Sequence, residues 1–225
     1  MNWSPLFLSL QVATVAMIVS LVVGTALALL ITWKKLPLPD VVAALISTPL
    51  VLPPTVLGYY LLTILGPNSA VGRAFHWLTG GDIIFTFKAA VIAASVGSIP
   101  LVVGAVKIGL DAVEPTLVAA ARTLGASPAR VLATITLPLA GPGIVAGAML
   151  GFARALGDYG MTQMIASSRF DGLGIHQESP ASIFVIDELV ALREESARNM
   201  AIATTVLGVV LLVLANRLTR RLHRV

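Results

Sequence analysis

The sequence predicts an all-α integral membrane protein, a single domain over residues 1–225 with five transmembrane helices and a core at about 6–217. Three observations carry this. Hydrophobic residues make up 57% of the chain and charged residues 12%, against roughly 25% charged in a soluble domain, and mean hydropathy is +0.93. Long windows hold no Asp, Glu, Lys or Arg: residues 1–33 and 41–72, then shorter stretches between Lys88 and Lys107, Arg130 and Arg154, and Arg198 and Arg217. The alternating short segments of a membrane β-barrel are absent. Lipid is the natural solvent for such a chain.

A spanning helix needs about 20 mostly apolar residues, each adding ~1.5 Å across a core of ~30 Å. The windows place helices at about 6–33, 42–65, 86–109, 138–158 and 199–217. The first opens on Met1-Asn2-Trp3-Ser4-Pro5, without the positive start of a signal peptide, and its apolar run is too long for one. It reads as a retained helix followed by Lys34 and Lys35. The second carries Pro53-Pro54 near its middle. Each proline removes a backbone hydrogen bond and crowds the preceding turn. In lipid such a break is tolerated where neighbours or a water-filled cavity satisfy the freed groups. Pro100, close to Ser95 and Ser98, predicts a similar break in the third helix. These breaks either line a translocation path or kink a packed helix.

On the fourth helix Gly143, Gly147 and Gly151 recur every four positions, a face that permits close packing within or between subunits. Arg154 and Asp158 follow, also four apart, and at that spacing they can meet. A charge near the bilayer centre costs ~2.5–3.5 kcal/mol or more unless paired or hydrated. Two readings stand: Arg154 offers transient attraction to an anion near an outer gate, or the two residues form a structural ion pair. The polar stretch 159–198 contains a short apolar-striped helix from about Ser182 to Leu192, predicted as a cap on the outer surface. The fifth helix ends in Arg217, Arg220, Arg221 and Arg224, a cationic anchor beside anionic lipid.

Orientation follows from Lys and Arg. One side gathers Lys34, Lys35, Lys107, Arg122, Arg130, Arg217, Arg220, Arg221 and Arg224. The other holds Arg73, Lys88, Arg169, Arg193 and Arg198 beside eight acids. The positive-inside rule sets the first group in the cytoplasm, with the N-terminus out and the C-terminus in. The net charge of +4 needs no nucleic acid to explain it.

The largest cytoplasmic loop, about 110–138 between helices three and four, contains "AAARTLGASPARVLATITLPLAG" from Ala119 to Gly141. Asp111-Ala-Val-Glu114 resembles a capping box, with Pro115 just inside the helix it starts. Leu117, Ala120, Ala121 and Leu124 fall on one helical face. Gly125 suits the position that ends this helix. Ser127 then caps a second helix that starts at Pro128, with Val131, Leu132 and Ile135 as its apolar face. Leu137-Pro138 turns the chain back into the membrane. This short helix, glycine bend and second helix read either as a docking knob or as a surface hairpin lying on lipid.

The stretch resembles the cytoplasmic "EAA" loop of ABC-importer permeases. That pattern is Glu-Ala-Ala, three residues, Gly, nine residues, then Ile-x-Leu-Pro. The chain has Ala119-Ala120-Ala121, Gly125 and Ile135-Thr136-Leu137-Pro138 with both gaps intact; Ala119 stands where the family often has Glu. Ser47–Leu62 and Gly151–Thr162 are similar to the corresponding segments of molybdate permeases, and sulfate and other oxyanion permeases share parts of them. The resemblance implies a type I importer permease fold. It implies a coupling loop (Ala119, Ala120, Ala121, Arg122, Gly125, Ala126, Ile135, Leu137, Pro138) seated in a groove of an ATPase. It also implies a second permease copy, two cytoplasmic ATPases that hold ATP and Mg²⁺, and an extracytoplasmic oxyanion-binding protein. Candidate pathway residues are Pro53, Pro54, Ser95, Ser98, Arg154 and Asp158.

Other classes fit less well. Intramembrane hydrolysis needs a nucleophile–base pair or paired acids at membrane depth, yet His76, His176 and His223 fall in predicted loops or the tail. There is no Walker motif for ATP hydrolysis on this chain, and no cysteine for thiolate metal sites. No cofactor or metal is expected on it. A structural scaffold has no need of a shaped motor dock.

Overall fold

The charge-free windows become helices that pair through small residues. The structure, a computed structural model, describes residues 3–32, 38–166 and 179–222. Lys34, Lys35, Arg169, His176, His223 and Arg224 lie outside these residues. Helix α1 (Ser4–Thr32) and α5 (Phe87–Asp111) run side by side in the same direction. At one end Val12, Ala13 and Ala16 share a core with Ala89, Ala90, Ala93 and Ala94. At the other Ala28 and Ile31 pack with Val102, Val106 and Leu110. Two parallel crossings require a return, and α2 (Pro39–Val51) with α3 (Pro54–Leu65) supplies it. Val42 and Ile46 of α2 pack at the Ile31–Leu110 end, Leu57 and Leu61 of α3 at the Val12–Ala90 end.

Helix α9 (Gly141–Leu156) runs back along α5, and its glycine face makes that possible. A Cβ at Gly143 would sit 2.7 Å from Gly109 Cα and 2.8 Å from the Ala105 carbonyl. One at Gly151 would meet Val102 and the Ser20 hydroxyl at 3.0 and 3.2 Å. The glycine stripe is therefore consumed inside the chain, against α5 backbone at Gly143 and against side chains at Gly151. The Val12 end of the bundle also holds α4 (Ala70–Thr79), α10 (Gly160–Ala166) and α11 (Ala181–Val190). The Ile31 end holds α6 (Pro115–Thr123), α7 (Pro128–Val131), a π turn (Leu132–Thr136) and α8 (Leu137–Leu139). Helix α12 (Glu194–Leu222) closes the chain and touches α9 and α11.

α11 is tied down at both ends. Its first backbone N–H donates to the Ser9 hydroxyl (Ala181 N to Ser9 Oγ, 2.7 Å). At its far end Arg193 donates to both Glu188 carboxylate oxygens, Nε at 2.8 Å and Nη2 at 2.6 Å. That hydrogen bond holds the Glu188 carboxyl below its ordinary value of 4.5 and raises the Arg193 guanidinium above its own. Leu192, in the turn between, sits at φ 60, left-handed geometry that a bulky residue adopts only where its surroundings over-determine it.

Among the described residues α1, α5 and Glu194–Val213 are each long and apolar enough to cross a bilayer, and the two bent pairs raise the number to as many as five. The break expected at Pro53–Pro54 is present: α2 and α3 meet at 109°, with both prolines at the corner. Three expectations change. Pro100 breaks nothing, and α5 continues through it. α1 and α9 flank α5 and hold it, while Ser95 and Ser98 donate to the helix's own Val91 and Ala94 carbonyls at 2.7 Å. The fourth helix starts at Gly141, because the chain turns 66° after α8 and not at Pro138. His76 lies within α4 and not in a loop.

Candidate functional site

Two regions collect the candidate residues, one at each end of the bundle. The first is the hairpin from α6 to α8. Pro115 opens α6 as expected, but Glu114 and not Asp111 is the N-cap, and Glu114 makes no side-chain cap bond. Asp111 is the last residue of α5, paired instead with Lys107 one turn back. α6 ends in a Schellman turn. Gly125 N donates to Arg122 O at 3.0 Å, and Ala126 N to Ala121 O at 3.1 Å, around Gly125 at φ 83. Ser127 then caps α7 through Arg130 N.

No residue of α6 is buried. Its apolar stripe faces outward: Leu117 is 46% exposed and Leu124 88%. Ala119, Ala120, Arg122 and Gly125 are exposed with them, while Ala121 and Ala126 are half-buried towards α7. Within α7 Val131 is buried, and Ile135 and Leu137 are half-buried where the hairpin rejoins the bundle. The π turn has a local cause. Pro138 carries no N–H and its ring crowds the carbonyl four residues back, and the chain widens ahead of it so that Leu137 N reaches Leu132 O. Thr134 meanwhile donates to the Arg130 carbonyl at 2.7 Å. The sequence carried the proline but not this consequence.

The second region is near the Val12 end. Arg154 Nη1 donates to Asp158 Oδ1 at 3.1 Å, with the Asp158 side chain 1% exposed and that of Arg154 27%. The other Asp158 oxygen accepts from Thr162 N at 3.1 Å and Thr162 Oγ1 at 2.7 Å. Asp158 thus satisfies orphan donors at the start of α10, where the helix dipole favours a negative charge. Ser182 Oγ donates to the Asp158 carbonyl at 2.9 Å and ties in α11. A narrow cleft runs along this cluster, lined by Ser9, Val12, Leu156, Asp158, Thr162 and Ser182. Arg154 also lies over Gly97 of α5, beside Met161.

The Pro53–Pro54 corner reaches this region, since Gly160, the first residue of α10, sits against Pro54. Ser95 and Ser98 are on a different side. Both are buried, and Ser98 Oγ donates to Gly151 O at 3.1 Å and Ser95 Oγ to Ala16 O at 3.4 Å, so they bind α5 to its neighbours. Thr162, Ser182, Ser9 and Gly97 were not singled out in the sequence. Asp158 ahead of Gly160 and Thr162 has the look of a helix start, and that signal leads to Thr162. Ser9 and Ser182 are far apart in sequence, and only the fold brings them together.

Residues 20–224 match the family described as binding-protein-dependent transport system inner membrane component. The chain is 36% identical over 224 residues to the molybdenum transport system permease protein ModB of Haemophilus influenzae, covering 100% of this chain and 96% of that one. It is 38% identical over 183 residues to the putative molybdenum transport system permease protein YvgM of Bacillus subtilis, covering 81% and 79%. Among solved structures it shares the fold of the inward-facing MetNI methionine ABC transporter, with TM-score 0.70, 18% identity and coverage of 96% and 93%. A bacterial alginate ABC transporter in complex with its alginate-bound periplasmic protein gives TM-score 0.68, 16% identity and coverage of 95% and 76%.

Proposed function

The chain belongs to the family of binding-protein-dependent transport system inner membrane components, and from that premise we propose that it carries molybdate or tungstate across the membrane as a pair of copies with the pathway between them. It is a multi-pass inner-membrane permease subunit of an ABC importer. Five spans run with the N-terminus out and the C-terminus in, and residues 1–225 form one transmembrane domain. Two cytoplasmic ATPases, which hold ATP and Mg²⁺, engage the hairpin through Ala119, Ala120, Ala121, Arg122, Gly125 and Ala126. Ile135, Leu137 and Pro138 root it to α9. An extracytoplasmic oxyanion-binding protein delivers the cargo at the opposite end.

One observation supports the dock above all: Leu117, Ala120 and Leu124 of the apolar stripe stand exposed on the hairpin that carries the spacing of a coupling loop. ATP-driven closure of the ATPases draws the two hairpins together and rocks the bundle to face outward. Within it, the Pro53–Pro54 corner and the Arg154–Asp158 pair stand nearest the pathway, and no tight anion site is needed because cargo must leave. The relatives named for molybdenum transport support the substrate.

The test is uptake of labelled molybdate into vesicles holding the permease, its ATPase and its binding protein. Tungstate in excess abolishes the signal and sulfate leaves it. Equal competition by sulfate shifts the assignment to a sulfate or general oxyanion permease.

A further inference from the structure

Helix α4 is held to the protein on one side only. Gly72 lies against the Gly66 carbonyl, and Phe75 is half-buried under the Lys88 ammonium, 5.2 Å from its ring centroid. The other side is open. Val71, Ala74 and Leu78 recur there at helical spacing with Trp77 at their border, and Trp77 is 85% and Leu78 73% exposed. Arg73 and His76 lie off the stripe, His76 paired with Asp82 at 3.1 Å. An apolar arc edged by Trp and flanked by basic groups is the pattern of a helix lying in the bilayer interface.

Position agrees with pattern. α4 joins α3 to the start of α5, where that spanning helix leaves the hydrocarbon. The first turns of α1 reach the same end and turn Trp3 and Phe7 outward, and Tyr159 lies at that end after α9. Trp77 continues this aromatic rim. At 10 residues α4 is about 15 Å long, too short to span and suited to lying flat.

We propose that α4 is an interfacial anchor, lying in the headgroup–acyl boundary with Val71, Ala74, Trp77 and Leu78 turned into lipid. Its partner is the bilayer itself, and it fixes the far end of α3. The inference depends on the chain crossing a membrane and not on the cargo.

The chain has no cysteine, so Leu78→Cys and Arg73→Cys each create a single nitroxide attachment site in the full chain. In lipid nanodiscs, collision with dissolved oxygen and with a water-soluble nickel chelate reads depth. At position 78 oxygen is favoured several-fold over nickel; at 73 the order reverses. A label at 78 open to nickel overturns the proposal. So does one shielded from both probes only when the binding protein is added, which marks a protein dock. Should a cysteine variant fail to assemble, Trp77 isolated by Trp3→Phe and Trp33→Phe serves in its place. Quenching by shallow-brominated lipid and not by aqueous iodide supports the anchor, and the reverse overturns it.

Discussion

Replacing Gly125 with valine separates the shape of the hairpin from everything else in the protein. Gly125 sits at φ 83, and a Cβ built there meets nothing within 4 Å. The substitution therefore causes no clash, and its effect is torsional. An L-residue held left-handed costs roughly 1–2 kcal/mol, and a β-branched one lies at or above that range. If the turn relaxes to negative φ instead, it loses the bonds from Gly125 N to Arg122 O and Ala126 N to Ala121 O, each worth about 0.5–1.5 kcal/mol. The torsional cost alone depopulates the native bend by about 5–30-fold. α6 buries nothing, so the bundle should insert and melt as the parent does.

The assay is anion delivered per ATP hydrolysed, in vesicles with ATPase and binding protein. We expect Gly125→Val to lower that ratio by about the same 5–30-fold, Gly125→Ala to lower it less, and Gly125→Asn to stay near the parent, because Asn visits the left-handed region readily. Parent-like coupling in the valine variant refutes the bend as the transmitting element. An asparagine variant as poor as valine shows that side-chain bulk, not backbone geometry, is at fault.

Three further outcomes follow from the packing. Gly143→Ala forces α9 off the α5 backbone and should lower thermal stability in detergent by about 1–3 kcal/mol, whereas Gly104→Ala, with open space around its Cβ, should be neutral or slightly stabilising; equal losses at both sites contradict the backbone contact. Asp158→Asn leaves Arg154 without its partner and should cost near the lower end of ~3–5 kcal/mol, since Arg154 is 27% exposed. The double variant with Arg154→Gln should recover most of the loss, and additive losses in the thermal midpoints refute a pair that acts as a strut. Glu188 is held below its ordinary value of 4.5, so its contribution is in place above pH 4.5 and is lost as pH falls through the depressed value. Proteolysis in the α11–α12 turn should rise across that acid range, and Glu188→Gln should remove the pH dependence; an unchanged acid profile refutes the assignment.

Much of this is legible in the amino-acid sequence. The charge-free windows gave α1, α5 and the body of α12, since nothing but lipid tolerates such runs. The Gly125 bend, the Ser127 cap and the Pro115 start were readable because each rests on backbone rules that neighbours do not override. Pro100 misled for the opposite reason. Its rule concerns an isolated helix, and α5 is clasped on two sides by α1 and α9. α4 and α10 escaped notice because, at 10 and 7 residues, they fall below the length that apolar windows detect, although Ser69 and Gly80 mark the ends of α4. The 109° corner at Pro53–Pro54 was foreseeable as a break but not as an angle, which the packing of Gly160 on Pro54 sets. The polar cluster around Asp158 needed Ser182 from another helix, a meeting that no local spacing announces.

The glycine seam between α5 and α9 has a mechanical side. These helices are the two roots of the hairpin, and at Gly109 and Gly143 they touch main chain to main chain, with no side chains between them to yield. A push arriving at the hairpin cannot spread its roots apart. If the hairpin docks as proposed, such a push swings both shafts together as one stiff lever, and the Pro53–Pro54 elbow, where the hydrogen-bonded ladder is already interrupted, is where that swing would be absorbed.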